Sequence, residues 1–285
     1  MQLVRKLPPY LSSGDRIALV APARFASAEL ILNAAESISA AGFEPLMYEG
    51  LDSRENQFGG TDEHRAALLN RAFKDQSVRA VLALRGGYGT GRLLPLLDTK
   101  AFTSDPIWII GFSDITSLHA WANNLGIASI HAPVASTLST TEASDVASLW
   151  SILKGEKIAP IIPGTIVGGN LSVLYSLMGT PYFPILNGCS LLLEDLDEFL
   201  YHIDRMMLAL KLSGSFDKVT GLILGEFSDL KDNTIAYGQR IDNPFGRSID
   251  QILTDHLPES LSIIKDAPSG HGVRNFPIVL GGPRG

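Results

Sequence analysis

Short apolar runs alternate with amphipathic stretches through the first half of the chain. Ile17–Pro22, Glu44–Tyr48, Ala80–Leu84, Ile107–Ile110 and Ala128–His131 are rich in aliphatic residues and lack strict polar alternation, the pattern of strands buried on both faces. Between them, helical spacing covers Ala26–Ala41, Glu63–Phe73, Gly91–Leu97 and Ile115–Asn124. A strand followed each time by a helix predicts an α/β domain built on a parallel sheet with helices on both faces. Ligands of such sheets bind at the carboxyl ends of the strands. Arg85-Gly86-Gly87-Tyr88-Gly89 and Gly111-Phe112-Ser113-Asp114 both fall at such ends, so they can face one crevice.

The pattern changes over residues 137–165, where Ser and Thr dominate and Pro160 and Pro163 punctuate; a linker is expected there. Residues 1–136 then form the first domain and 166–285 a smaller mixed α/β domain. In the latter, Gly168-Gly169-Asn170 opens a helical stretch to Met178, and Phe199–Leu212 and Arg247–His256 read as helices. Cys189–Leu193, Val219–Leu224, Ser262–Ile264 and Ile278–Leu280 read as strands, and Phe227–Pro244 is irregular.

Composition narrows the function classes. The chain has 285 residues, 45% hydrophobic and 19% charged, enough apolar material for two cores and too little charge for disorder. A formal charge of −7 without a Lys/Arg cluster argues against nucleic acid and anionic membranes as partners and for a small-molecule or peptide substrate. The lone cysteine, Cys189, cannot form an internal disulfide, which suits a reducing compartment. Pro8-Pro9-Tyr10 and Ser12-Ser13-Gly14-Asp15-Arg16 interrupt the apolar region that an export signal would need. No run approaches the roughly 20 apolar residues that span a bilayer, and a cytoplasmic protein is expected.

The densest chemical signal is the run from Trp108 to His119, in which an apolar strand enters Gly-Phe-Ser-Asp and a helix begins at once. A serine on such a sharp turn exposes its hydroxyl above an amide-rich helix N-terminus, where a nucleophile belongs. An ordinary N-cap is the competing reading of Ser113 or Asp114, and the second glycine of G-x-S-x-G is missing. A serine nucleophile needs a base and an acceptor that orients the base.

Six histidines compete for the role of base. His64 and His202 lie among charged neighbours in predicted helices and read as solvated. His256 suits a helix C-terminus. His119 shares the helix after Ser113 and points away from it, while His131 ends a strand and could line the crevice. His271 stands between Gly270 and Gly272, a turn that presents a side chain, although a Gly-flanked His is more often only part of a turn. For the acid, a helix dipole accounts for Asp197 and Glu198, but Glu194 continues a run of three leucines and needs a partner for a half-buried charge.

Together these segments resemble the LD-carboxypeptidases, serine peptidases that remove the terminal D-alanine from murein tetrapeptides, and their relatives the microcin C immunity peptidases. The resemblance runs through Val20-Ala21-Pro22-Ala23, Gly60-Thr61-Asp62-Glu63-His64-Arg65-Ala66, Leu84–Gly89, Ile110–Thr116, Gly168–Leu171, Leu193-Glu194-Asp195 with Asp204-Arg205-Met206, and Gly270-His271-Gly272. It implies a Rossmann-like first domain carrying the nucleophile Ser113, a second domain supplying the carboxylate Glu194 and the base His271, and a homodimer. It further implies acyl transfer without metal or cofactor, on a peptide or murein-fragment substrate. Backbone N–H groups of Asp114 and of Gly86 or Gly87 are then the expected oxyanion donors, and Arg85, with Tyr88 beside it, the expected contact for the leaving residue's carboxylate. Two departures stand out: the segment from Asn124 to Gly168 is short for the family, and Arg24 follows Ala23 where small hydroxyl residues are common. A peptidase acting on a peptidyl-nucleotide amide and a non-catalytic small-ligand-binding module are the alternatives. A metal-dependent peptidase fares poorly, because the histidines lack ligand spacing and there is no H-E-x-x-H.

Overall fold

The computed structural model describes residues 4–156, 158 and 164–282. Its first sheet contains β1 (Arg16–Val20), β2 (Glu44–Leu46), β3 (Val78–Ala83), β4 (Trp108–Gly111) and β5 (Ser129–His131), all parallel, in the order β5-β4-β3-β1-β2. Helices α1 (Ala28–Ala40), α2 (Asp62–Lys74), α3 (Thr99–Ser104) and α4 (Thr116–Asn124) connect them. Alternate strand residues feed two cores. Ala18, Val20, Val81 and Ile109 pack on one face with Phe73, Phe102 and Trp121, and Ile17, Leu19, Leu82 and Ile110 pack on the other. Double-sided burial explains why these strands read as continuous apolar runs. Ser27 and Thr61 cap α1 and α2 by accepting backbone N–H groups of Leu30 and His64, each cap worth about 1 kcal/mol.

The second sheet is also parallel, in the order β6-β7-β8-β9: β6 (Ile166–Asn170), β7 (Ser190–Leu196), β8 (Gly221–Ser228) and β9 (Ser262–Ile264). Helices α6 (Leu171–Leu177), α7 (Leu200–Leu212) and α8 (Ile249–His256) belong to this half. Ile203, Met206, Met207 and Leu210 of α7 and Ile252 and Leu253 of α8 bury against Leu191, Leu193, Leu222 and Leu224.

Four expectations change in the folded chain. Gly168 and Gly169 lie inside β6 rather than in a helix, and α6 starts only after Asn170, whose side chain caps it. The close approach demands glycine: a Cβ on Gly168 would sit 2.2 Å from the Leu192 carbonyl oxygen. Residues 137–165 contain a helix, α5 (Ala143–Leu153), whose Leu149 and Leu153 join the first sheet's core. The final strand, β10 (Ile278–Leu280), leaves the second half to pair antiparallel with β5, while Ile278 and Leu280 pack against Ile166, Leu192 and Ile223. It therefore belongs to both cores and staples the two sheets together. Finally, Thr90–Leu96 and Ser113–Ile115 are 3-10 rather than α turns, and Pro95 lies in the first, where it cannot donate a backbone hydrogen bond. Among the described residues no helix is long and apolar enough to cross a membrane.

Candidate active site

Ser113 takes φ +61 directly after the extended Phe112. A left-handed backbone at a non-glycine residue costs of order 1–3 kcal/mol and persists only where its surroundings impose it. Here the Ile115 N–H donates to Phe112 O at 3.2 Å, and the buried His119 bonds Gly111 O through Nε2 at 2.8 Å. A carbonyl can only accept, so Nε2 carries the proton and Nδ1 accepts from the Ser129 hydroxyl at 2.9 Å. Burial pushes the His119 pKa down to about 4 and keeps the ring neutral. His119 thus braces the turn from beneath.

Gly86 faces this turn from the end of β3. A Cβ there would lie 3.0 Å from Ser113 Cβ and 3.1 Å from its Oγ. Among the described residues the backbone N–H groups of Gly86, Gly87 and Asp114 donate no hydrogen bond within the chain, leaving them available to a developing oxyanion. The Asp114 side chain is occupied elsewhere. It is buried, accepts the Thr90 N–H at 2.8 Å, and has its pKa raised by burial against the effect of that hydrogen bond.

Glu194 and His271 meet although 77 positions apart. Glu194 is 0% exposed in β7, and its Oε2 accepts from His271 Nδ1 at 2.9 Å. The carboxylate fixes the tautomer, so Nε2 is the acceptor turned to the rest of the site. The His271 ring packs on Phe112 with centroids 4.6 Å apart, next to Ser113. No hydrogen bond joins His271 to the Ser113 hydroxyl among the described residues; both line one cleft of about 630 Å³, and such contacts often tighten only with substrate bound.

The loop bearing His271 is clamped from two sides. A register irregularity in β8 near Gly225 and Glu226 re-aims Glu226. Its N–H donates to Ser269 O at 2.8 Å and its carboxylate accepts the Gly272 N–H at 2.7 Å. From α5, Asp145, 1% exposed, receives a forked pair from Arg274 at 2.8 and 2.9 Å and the Asn275 N–H at 3.0 Å. Neither Glu226 nor Asp145 carries a sequence signal, since both act through contacts that exist only after folding.

One wall of the cleft holds Arg24, Arg85 and the exposed Tyr88, which leans on Phe58; the other holds Asp195, Asp197 and Glu198. Asp195 accepts from Asn170 Nδ2, Ser172 N and Ser172 Oγ at 2.7–2.9 Å, and burial pushes its pKa up to about 6. Asp197, at φ +60, pairs with Lys231. The helix dipole is therefore an insufficient account of these acids, because they line the cleft.

The remaining histidines are structural. His131 is fully buried behind Phe112 rather than lining the crevice, and burial holds its pKa well below the usual value. His64 bonds Gly50 O at 2.8 Å, His202 pairs with Glu198 at 2.9 Å, and His256 pairs with Asp204 at 2.8 Å. His256 lies in the last turn of α8, at the helix C-terminus as expected, and the ion pair adds to that position; the side chains of His64 and His202 are held by these contacts where solvation was expected.

Two domain profiles match the chain: the LD-carboxypeptidase N-terminal domain over residues 17–132 and the LD-carboxypeptidase C-terminal domain over 163–284. A putative carboxypeptidase of Synechocystis is 31% identical over 96% of this chain and 92% of its own length. The murein tetrapeptide carboxypeptidase of Pseudomonas aeruginosa is 30% identical over 91% and 89%. Among solved structures, the muramoyltetrapeptide carboxypeptidase from Oxalobacter formigenes superposes with a TM-score of 0.80 at 28% identity, covering 93% of this chain and 92% of that one. A microcin immunity protein in complex with glutamyl sulfamoyl guanosine shares the fold, with a TM-score of 0.83 at 21% identity over 98% and 94%. With both profiles matched in order and relatives similar over nearly its whole length, the chain belongs to the LD-carboxypeptidase family of peptidases.

Proposed function

We propose that the chain is a serine-type LD-carboxypeptidase that releases D-alanine from murein tetrapeptide with Ser113, His271 and Glu194. The observation that carries this reading is the buried Glu194–His271 pair beside a cleft that also holds a serine on a strained strand-to-helix turn. Ser113 Oγ attacks the carbonyl carbon of the scissile amide while its proton passes to His271 Nε2. Glu194 holds the ring and offsets its positive charge. The oxyanion is received by the N–H of Asp114 and of Gly86 or Gly87. His271 returns the proton to the departing nitrogen as the C–N bond breaks, and water, activated by the same imidazole, then cleaves the acyl-serine ester. Arg85 takes the carboxylate of the released residue.

The test is release of D-alanine from a murein tetrapeptide by the purified chain, followed by mass spectrometry. Ser113→Ala is expected to abolish release and to melt within a few degrees of the parent. Release by the variant at the parental rate, or none by the parent, overturns the reading. A second reading, hydrolysis of an aminoacyl-nucleotide amide, has its support in the likeness to the immunity protein bound to glutamyl sulfamoyl guanosine; assaying such a compound beside the tetrapeptide separates the two. Action in the cytoplasm as a homodimer belongs to the first reading, with cell fractionation and light scattering as its checks.

A further inference from the structure

The charged groups of the cleft are unevenly partnered. Every carboxylate lining it has a partner: Asp114 the Thr90 amide, Asp195 the Asn170 and Ser172 side chains, Asp197 the Lys231 ammonium, and Glu198 the His202 ring. The two cations do not. Among the described residues the guanidinium groups of Arg24 and Arg85 make no hydrogen bond and no ion pair, whereas Arg16, Arg65, Arg92 and Arg274 each hold a carboxylate. Two guanidinium groups beside the proposed nucleophile therefore keep all their N–H donors free to take carboxylate oxygens of a substrate.

The backbone prepares the place of Arg24. Gly87 adopts φ +115, and a Cβ on it would lie 2.6 Å from both Cδ and Nε of Arg24. The bare glycine lets the Arg24 side chain run across the same turn that carries Arg85. One guanidinium satisfies one terminal carboxylate through a forked pair. A released residue with a single carboxylate would therefore leave the second guanidinium without a carboxylate partner.

We propose that Arg24 and Arg85 together select a substrate whose C-terminal residue carries two carboxylates, of the D-glutamate type, with Arg85 taking the α-carboxylate and Arg24 the side-chain carboxylate. This rests on the Ser113 peptidase chemistry proposed above and puts an acidic residue in place of D-alanine as the preferred released residue. Three synthetic tetrapeptides that differ only in ending with D-Glu, D-Gln or D-Ala provide the test, because D-Gln matches D-Glu in shape and lacks its charge. The parent protein is expected to prefer D-Glu over D-Gln by about 10- to 100-fold in kcat/KM. Arg24→Ala is expected to bring that ratio close to one and Arg24→Lys to restore part of it, with thermal midpoints confirming that both variants fold.

A ratio near one in the parent, or a ratio unchanged by Arg24→Ala, overturns the proposal. If D-Ala is released in a Ser113-dependent manner while the ratio is one, this inference fails and the peptidase reading stands. If no peptide is cleaved, calorimetric titration of the same three peptides into the parent and the Arg24→Ala variant reads the preference directly. Tighter binding of D-Glu that is lost in Arg24→Ala upholds it, and equal affinities overturn it.

Discussion

The two halves of the candidate site are positioned by different means. Ser113 is set by its neighbours in sequence: β4 ends at Gly111, a 3-10 turn follows, and His119, six residues on, bonds the turn's own carbonyl. His271 sits in a loop without regular structure and is held by three distant elements: Glu194 on β7, Glu226 on β8 and Asp145 on α5. A locally built turn stores strain and resists displacement. A loop held by long-range hydrogen bonds keeps its geometry only while each remote contact survives. Substitutions on the His271 side should therefore loosen geometry, and those at the elbow should act on chemistry directly.

The harshest test of this contrast is Glu194→Gln, which keeps the shape and removes the charge that orients the imidazole; kcat should fall about 10⁴-fold with the fold retained, and an unchanged rate would move the role elsewhere. Gly86→Ala comes next. Its methyl would crowd Ser113 Cβ and Oγ at 3.0 and 3.1 Å and disturb an oxyanion donor, a loss of about 10²- to 10³-fold in kcat. Asp145→Ala, far from the chemistry, removes the fork to Arg274 and the bond to Asn275 N. About a tenfold drop in kcat with KM nearly unchanged is expected from misplacement alone; full activity would show that Glu226 and Glu194 suffice to hold the loop.

The mildest test reads stability against pH. The folded-state pKa of His119 is depressed from 6.5 to about 4, so the unfolded chain binds the proton more readily. Its contribution is complete at neutral pH and is lost as pH falls from about 6.5 to about 4, on the order of 3 kcal/mol in all. His131 acts in the same direction. Asp195, raised to about 6, acts oppositely, since its protonation favours the folded chain as pH falls. Comparing the parent with His119→Gln isolates the first effect: the variant's melting temperature should decline less steeply between pH 7 and 4, and parallel curves would remove His119 as the elbow's brace.

Much of the first half was legible because its determinants are local. Continuous apolar runs marked β1, β3 and β4, and a glycine-rich turn and Gly-Phe-Ser-Asp marked the strand ends. Glu194 was legible for a different reason: a carboxylate continuing three leucines must find a partner once buried. The Gly168-Gly169 strand was not, because glycine has little intrinsic strand preference and only the approach of Leu192 and Thr116 explains its presence. Arg24 stood out as a departure from the family pattern, yet its lack of a carboxylate partner was invisible until the cleft walls were assembled.

Sequence alone determined the five strands of the first sheet's parallel part, the turn that presents Ser113 and the family to which the chain belongs, since these follow from residue periodicity, backbone preference and motif order. Tertiary structure alone decided that β10 crosses back to staple two sheets, that α5 reaches over to hold the His271 loop, and which charges in the cleft stay unpaired. Those features depend on contacts between residues as distant in sequence as Ser129 and Leu280, and no local pattern encodes which distant group will arrive to make them.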